Sequence, residues 1–325
     1  MERNRVSLIR PLWETFKMLL TVHRPDGSPN IFLFTVARSG STWLMEIILS
    51  QPGGKRSREP FNLLRPEVCE HLGITEWAEL FNAGSEEKIV RYIEAISSGK
   101  LRDWRFRHAH PLRSNFYFLT WRTVFKIIHY GHDRINWFRD TFNGRIVYLL
   151  RHPIPVSLSR PAHLELEVLI TSDYRRHFTA SQLELARQIV ATGDKFERGV
   201  LDWCLRNSVP LRQATPDWCI VTYEQLVLDP GPVIHHLADR LDMHNLRRMK
   251  SRLPVASGST HLSDQATRGM LAKSRTPEVK RWLVEKWRPQ VSRQQAARAR
   301  EVLDEFGIDE YQVGDTLPAK RLWIA

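Results

Sequence analysis

Cysteine is scarce in this chain: Cys69, Cys204 and Cys219 are the only three in 325 residues. They are odd in number and far apart, with neither zinc-ligand spacing nor a disulfide framework, which excludes a disulfide-stapled fold and points to a reducing compartment. Long hydrophobic runs are missing too. In the stretch MERNRVSLIRPLWETFKMLLTVHRPDG, Arg10, Pro11, Glu14 and Lys17 break the apolar residues well short of a membrane span. No secretion signal or transmembrane anchor is read there, so the expected location is cytoplasmic. There is no internal repeat and no low-complexity linker, which leaves one α/β domain as the default. Acid is the scarcer charge: 48 Lys and Arg against 36 Asp and Glu leave a formal charge of +12. That balance favours an acidic partner, whether a nucleotide, a sulfated or phosphorylated polymer, nucleic acid or an anionic membrane, without choosing among them.

What is present is enough apolar residue, 42% of the chain, for one large core. Val6, Ile9, Trp13, Phe16 and Leu20 fall at roughly helical spacing. They mark an N-terminal amphipathic extension over residues 1–29, expected to dock on the domain, with peripheral membrane contact as the second option. Four apolar runs rich in β-branched or aromatic residues read as buried strands: Ile31 to Val36, Val124 to His129, Arg145 to Leu150 and Trp218 to Tyr223. Between them, stretches such as Ser181 to Leu205 and Pro232 to Leu241 place apolar residues every three or four positions, as helices do. Strands alternating with helices predict a three-layer α/β fold of P-loop-like type, a mostly parallel central sheet flanked by helices.

The first of these strands runs directly into TVARSGSTW, Thr35 to Trp43, and a helix is read from Trp43 to Leu49. Strand, loop and helix in that order turn free backbone N–H groups and a positive helix end toward an anion. Set against the nucleoside-triphosphate loop GxxxxGK[ST], Gly40 and Thr42 keep their places, but Thr35 replaces the first glycine and Ser41 the lysine. That lysine normally reaches the β- and γ-phosphates. Its loss, with Arg38 supplied earlier in the loop, suits a shorter anion. No apolar strand ends in the Asp that positions magnesium, so a P-loop-type kinase or nucleotide-binding protein is kept only as the alternative. Basic residues are spread through the chain and no nucleic-acid motif occurs, so no nucleic-acid partner is expected.

The loop resembles the 5′-phosphosulfate loop of the sulfotransferases that use 3′-phosphoadenosine 5′-phosphosulfate (PAPS), with their carbohydrate-type and bacterial members as the nearer pattern. The resemblance implies that Arg38, Ser39, Gly40, Ser41, Thr42 and Trp43 surround the donor's phosphosulfate. LLRHPIPVSLSR is similar to the family's 3′-phosphate site, which implies that role for Arg151 at a strand end and Ser159 eight residues on. A guanidinium grips phosphate bidentately and a hydroxyl adds a hydrogen bond. VTYEQLVLDP, Val221 to Pro230, resembles the segment that places a tyrosine, here Tyr223, near the adenine; a core tyrosine is the plain competitor. Ser292 to Phe306 with the following GIDEY looks like the closing helix. The basic run Arg268 to Arg275 reads as a cover for the 3′-phosphate or as a solvated face. These landmarks imply a sulfotransferase domain over 30–312 and a C-terminal tail over 313–325.

The implied reaction moves a sulfuryl group from PAPS to a hydroxyl of a small alcohol, lipid-like or sugar acceptor and releases PAP, with a general base and no required metal. Glu59, in SREPF, stands twenty-one residues after Arg38 and resembles the Glu-Pro of carbohydrate-type members. His129, in FKIIH, matches the histidine of the cytosolic type less well, because Lys126-x-x-His129 replaces Lys-x-His. Glu59 is the preferred base, with His129 as the alternative or an acceptor-site residue, and Lys126 is expected to assist the leaving group or the sulfuryl oxygens. His108 and His110 lie close together in RFRHAHPLR but lack a third ligand at metal-site spacing. Leu63 to Thr123 and Pro161 to Val200 match no motif and are assigned to the acceptor pocket.

Overall fold

Ile31, Phe32, Leu33 and Phe34 have no exposed surface, which is the condition of a strand covered on both faces. They lie in β2 (Asn30–Thr35), the middle of a six-stranded sheet in the computed structural model, which describes residues 21–101, 118–159, 165–257 and 276–325. The apolar stripe Val6 to Leu20, the pair His108 and His110, and the basic run Arg268 to Arg275 lie outside the described residues. On one side of β2 runs β4 (Leu119–Ile127) and on the other β5 (Gly144–Leu150), followed by β6 (Cys219–Thr222). β3 (Gly53–Arg58) and the short β1 (Val22–His23) both pair with β4. Every one of these pairings is parallel.

Side-chain alternation divides the core. Phe32 and Phe34 of β2 join Phe125, Ile127, Ile146 and Tyr148 in one cluster, while Ile31 and Leu33 join Val124, Val147 and Leu149 in the other. The first face is covered by the helices Glu86–Ser97, Ile135–Thr141, Pro153–Ser159 and Lys195–Gln213. Ser41–Ile48, Pro230–Arg240 and Leu246–Arg252 cover the second. The three-layer α/β architecture is therefore as the alternation of strands and helices predicts. Among the described residues no helix is long and apolar enough to cross a membrane.

The chain leaves β2 toward β3 and β4 on one side, then returns past β2 to build β5 and β6 on the other. The strand order reverses at the carboxyl end of β2, and open α/β sheets place their ligands in that crevice.

Several boundaries differ from the sequence reading. β3, reading GGKRSR, was not expected as a strand: glycine and charge carry no period-2 apolar signal, and among the described residues the segment pairs only with β4. β4 starts at Leu119 rather than Val124, because Thr120 and Arg122 look polar yet are buried, with Arg122 donating to the Leu241 carbonyl at 2.9 Å. The helical stretch Ser181 to Leu205 falls in two helices, Ala180–Thr192 and Lys195–Gln213. The break is a capping box, in which Asp194 accepts from the Glu197 N–H at 2.8 Å and Glu197 accepts from the Asp194 N–H at 2.9 Å.

Gly199 lets the Lys195–Gln213 helix lie directly on Pro153–Ser159: a β-carbon there would meet Ser157 Cβ at 2.7 Å and its Cα at 2.9 Å. Replacing glycine by alanine inside a helix ordinarily stabilises it by about 0.5–1 kcal/mol. Here the overpacking, about 1–3 kcal/mol, acts against backbone and wins. Gly199→Ala is expected to lower the urea midpoint of unfolding; an unchanged or raised midpoint would show that the two helices separate freely.

Candidate active site

β2 ends at Thr35, whose hydroxyl donates to the Leu149 carbonyl at 2.8 Å and ties the loop to β5. The turn that follows needs two left-handed residues, Arg38 at φ 71° and Gly40 at φ 90°. Gly40 opens the Ser41–Ile48 helix, and only glycine fits, since a β-carbon would sit 2.6 Å from the Tyr223 ring. Ser39 is fully buried and its hydroxyl has no hydrogen-bond partner, and the same holds for the indole N–H of Trp43. Buried polar groups are nearly always paired, so these leave hydrogen-bond donors available beside a glycine turn at a helix start, the setting in which anions are commonly held.

Arg151 stands at the end of β5 and closes on that loop. Its Nη1 donates to the Arg38 carbonyl at 2.8 Å, and its guanidinium carbon lies 4.1 Å from the centroid of the Tyr223 ring. Its Nε is buried without a partner. The Trp203 indole donates to the Arg151 carbonyl at 3.0 Å. Behind it, the His152 N–H donates to Glu224 Oε1 at 2.9 Å, and the Tyr311 hydroxyl donates to Glu224 Oε2 at 2.9 Å. One buried carboxylate thus joins the RHPIP, YEQL and GIDEY segments. Burial pushes the Glu224 carboxyl up and holds His152 neutral by lowering it to about 4. Ser159 is the last residue of Pro153–Ser159, and its hydroxyl donates to the carbonyls of Pro155 at 2.8 Å and Val156 at 3.1 Å, turning onto its own helix.

Glu59, Lys126 and His129 meet at the ends of β3 and β4. Lys126, 2% exposed, reaches Glu59 Oε1 at 2.7 Å and Thr42 Oγ1 at 3.4 Å. Glu59 adopts a left-handed backbone, φ 51°, while its N–H donates to the Lys126 carbonyl at 2.9 Å. Burial alone would raise the Glu59 carboxyl, but the adjoining Lys126 ammonium outweighs it and holds the group at about 2. Burial lowers Lys126 in turn, with Glu59 opposing. Nε2 of His129 is 4.0 Å from Glu59 Oε2 and its Nδ1 is 2.7 Å from Glu165 Oε1. Trp77 packs on this imidazole with ring centroids 5.5 Å apart. The two candidate bases therefore share one place, adjoining Thr42 of the loop through Lys126.

The sulfotransferase-domain family model matches residues 28–311. This chain belongs to the sulfotransferase family. It is similar in structure to the sulfotransferase domain of the Synechococcus PCC 7002 olefin synthase, with 18% identity and a TM-score of 0.45 over 89% of this chain and 97% of that one. It is also similar to the sulfotransferase domain of the curacin biosynthetic pathway, with 16% identity and a TM-score of 0.43 over 86% and 98%. A sulfotransferase from Mycobacterium avium follows with 12% identity and a TM-score of 0.35 over 86% and 77%. No curated protein matches this chain.

Sequence reasoning missed part of this sulfotransferase's site. Glu165, Arg206 and Asp202 form a buried chain behind His129, and no local signal marks them. Glu224 lies inside the YEQL landmark, where a buried acid after a strand end was the available clue.

His132 lies under the loop, 1% exposed, with its Nε2–H donating to the Thr35 carbonyl at 3.1 Å. Burial first, and then the Arg206 charge, lower it to about 3, against an ordinary value near 6.5. Below about 6.5 the unfolded chain therefore binds a proton that the folded chain refuses. Stability is lost as pH falls from there toward 3, by about 1.4 kcal/mol per pH unit within the window. His132→Gln keeps an N–H for Thr35 and removes the titration. Urea unfolding should show wild type losing roughly 2 kcal/mol relative to this variant between pH 7 and 5; parallel pH curves would contradict a neutral His132.

Proposed function

We propose that this sulfotransferase uses PAPS and transfers the sulfuryl group to a hydroxyl of a small alcohol, lipid-like or sugar acceptor, as a cytoplasmic enzyme. The observation that carries the donor reading is the direct contact between its two anion-binding segments, Arg151 Nη1 on the Arg38 carbonyl at 2.8 Å. A donor with anionic groups at both the 5′ and 3′ positions calls for two cationic sites side by side. The buried, unpaired Ser39 hydroxyl and Arg151 Nε fit such a donor, and the Tyr223 ring beside Arg151 and Gly40 fits an adenine or ribose neighbour. Arg38, Ser39, Gly40, Ser41, Thr42 and Trp43 would hold the phosphosulfate, and Arg151 with Ser159 the 3′-phosphate. When bound, PAPS supplies an activated sulfuryl group on a phosphate leaving group. All three cysteines are free, in keeping with a reducing location.

Lys126 brings a buried positive charge to Thr42 at the end of the loop, where negative charge grows during transfer. Glu59 balances that lysine. A carboxylate held at about 2 by its ion pair takes up a proton weakly at neutral pH, whereas a good general base has a pKa near the working pH. The ion pair weakens Glu59 as a base, and His129, with Nε2 4.0 Å from Glu59, takes the place of the group that accepts the hydroxyl proton, with Glu59 keeping Lys126 in place. Thr42, Lys126, Glu59 and His129 then form a continuous line from donor to acceptor.

PAP without magnesium should raise the melting temperature of the wild type; stabilisation by ATP only with magnesium would support a kinase instead. Arg151→Ala should weaken PAP far more than it weakens adenosine phosphosulfate, which lacks the 3′-phosphate, and equal losses would refute its role. With ³⁵S-labelled PAPS and a panel of alcohols, steroids, phenols and sugars, His129→Gln should reduce turnover by about 10²–10⁴-fold with PAP affinity intact. Glu59→Gln should chiefly destabilise the fold, because Lys126 stays buried without its counter-charge. An active His129→Gln beside a stable, PAP-binding but inactive Glu59→Gln would return the base to Glu59.

A further inference from the structure

Glu165 lies in Pro161 to Val200, a stretch without any motif, yet its carboxylate reaches the reaction edge from the interior. It immediately precedes the helix Leu166–Thr171 and its side chain is 2% exposed. Oε1 is 2.7 Å from His129 Nδ1, and Oε2 receives Arg206 Nη2 at 2.8 Å. Arg206 in turn donates through Nη1 to the His129 carbonyl at 3.2 Å and through Nε to Asp202 Oδ1 at 3.0 Å. Main chain of His129, Arg206, Glu165 and imidazole of His129 therefore close a ring of hydrogen bonds that fixes both ends of one residue.

A carboxylate carries only lone pairs toward its partners. With the Arg206 guanidinium against it, buried to 1% exposure, Glu165 is held ionised, so the proton of the contact belongs to the imidazole. We propose that Glu165 is a positioning residue for sulfuryl transfer: it holds His129 as the Nδ1–H tautomer, so that Nε2 keeps its lone pair beside Glu59. This rests on the reading of His129 as proton acceptor. A network serving stability alone would set the same tautomer, so loss of turnover at unchanged PAP affinity, together with the tautomer, separates the two roles. The same logic governs catalytic histidines whose orienting carboxylate, once changed to an amide, leaves the wrong nitrogen protonated.

The test uses the full chain with ¹⁵N,¹³C-labelled histidine, the His129 signals being those lost in His129→Gln, at a pH about two units above that of an ordinary histidine. Wild type should show Nδ1–H and an unprotonated Nε2. In Glu165→Gln, Arg206 takes the amide oxygen and the NH₂ group turns to Nδ1, so the tautomer should invert to Nε2–H. PAP stabilisation should stay unchanged, while turnover of the panel's best acceptor falls about 10²–10⁴-fold. Glu165→Asp should restore Nδ1–H and part of the turnover. Nε2–H in the wild type, which needs no variant to be stable, overturns the proposal, as does a Glu165→Gln protein with Nδ1–H and full turnover. An inverted tautomer with full turnover would instead leave Glu165's hold on the ring standing and remove His129 as base. Absence of PAP binding by the wild type would remove the donor reading and leave the tautomer result untouched.

Discussion

The parallel alignment of β2, β4 and β5 is the constraint on which everything else in this sulfotransferase rests. Parallel strands all finish at the same edge, so segments far apart in the chain deliver their next residues to one crevice. β2 delivers the glycine turn, β4 delivers Lys126 and His129, and β5 delivers Arg151. The register makes the convergence concrete: Phe34 lies opposite Ile127 on one side and Tyr148 on the other. Two apolar layers pack that sheet against its helices, and the buried faces leave the strand ends as the place where polar groups are put to use.

Among the described residues, the buried ionisable groups Lys126, Arg206 and Glu224 are matched by partners. Taking an ion out of water costs several kcal/mol even after relaxation, and the protein meets that cost with partners. Lys126 has Glu59 and Thr42, Arg206 has Glu165 and Asp202, and Glu224 has the His152 N–H and the Tyr311 hydroxyl. Buried polar atoms without a partner occur at several places among the described residues, and the Ser39 hydroxyl, Trp43 indole N–H and Arg151 Nε are those at the loop and the β5 end. All three belong to the residues that the sequence resemblance connects with the donor.

The legible parts of the sequence were those with a local signature. Ile31 to Val36 announced a strand within one residue of its observed span because continuous burial on both faces demands continuous apolar residues. RSGST announced a turn because Gly40 must adopt a left-handed backbone under the Tyr223 ring. β3 was invisible because an edge strand of Lys, Arg, Ser and Gly obtains its structure from pairing with β4 rather than from its own residues. Glu165 was invisible for the same kind of reason, since its role comes from residues 36 and 41 positions away.

Taken alone, then, the sequence determined the α/β alternation, the glycine turn without a kinase lysine between a strand and a helix, and the arginine at the end of a second strand. These follow from backbone conformation and from covalent neighbours, which a linear chain records. Tertiary structure alone decided that Glu59 and His129 occupy the same place, that Lys126 binds Glu59 and thereby makes it a weak base, and that Glu165 and Arg206 fix the imidazole. Those are through-space electrostatic relations in a low-dielectric interior. Their strength depends on distance and burial, neither of which is written in the order of residues.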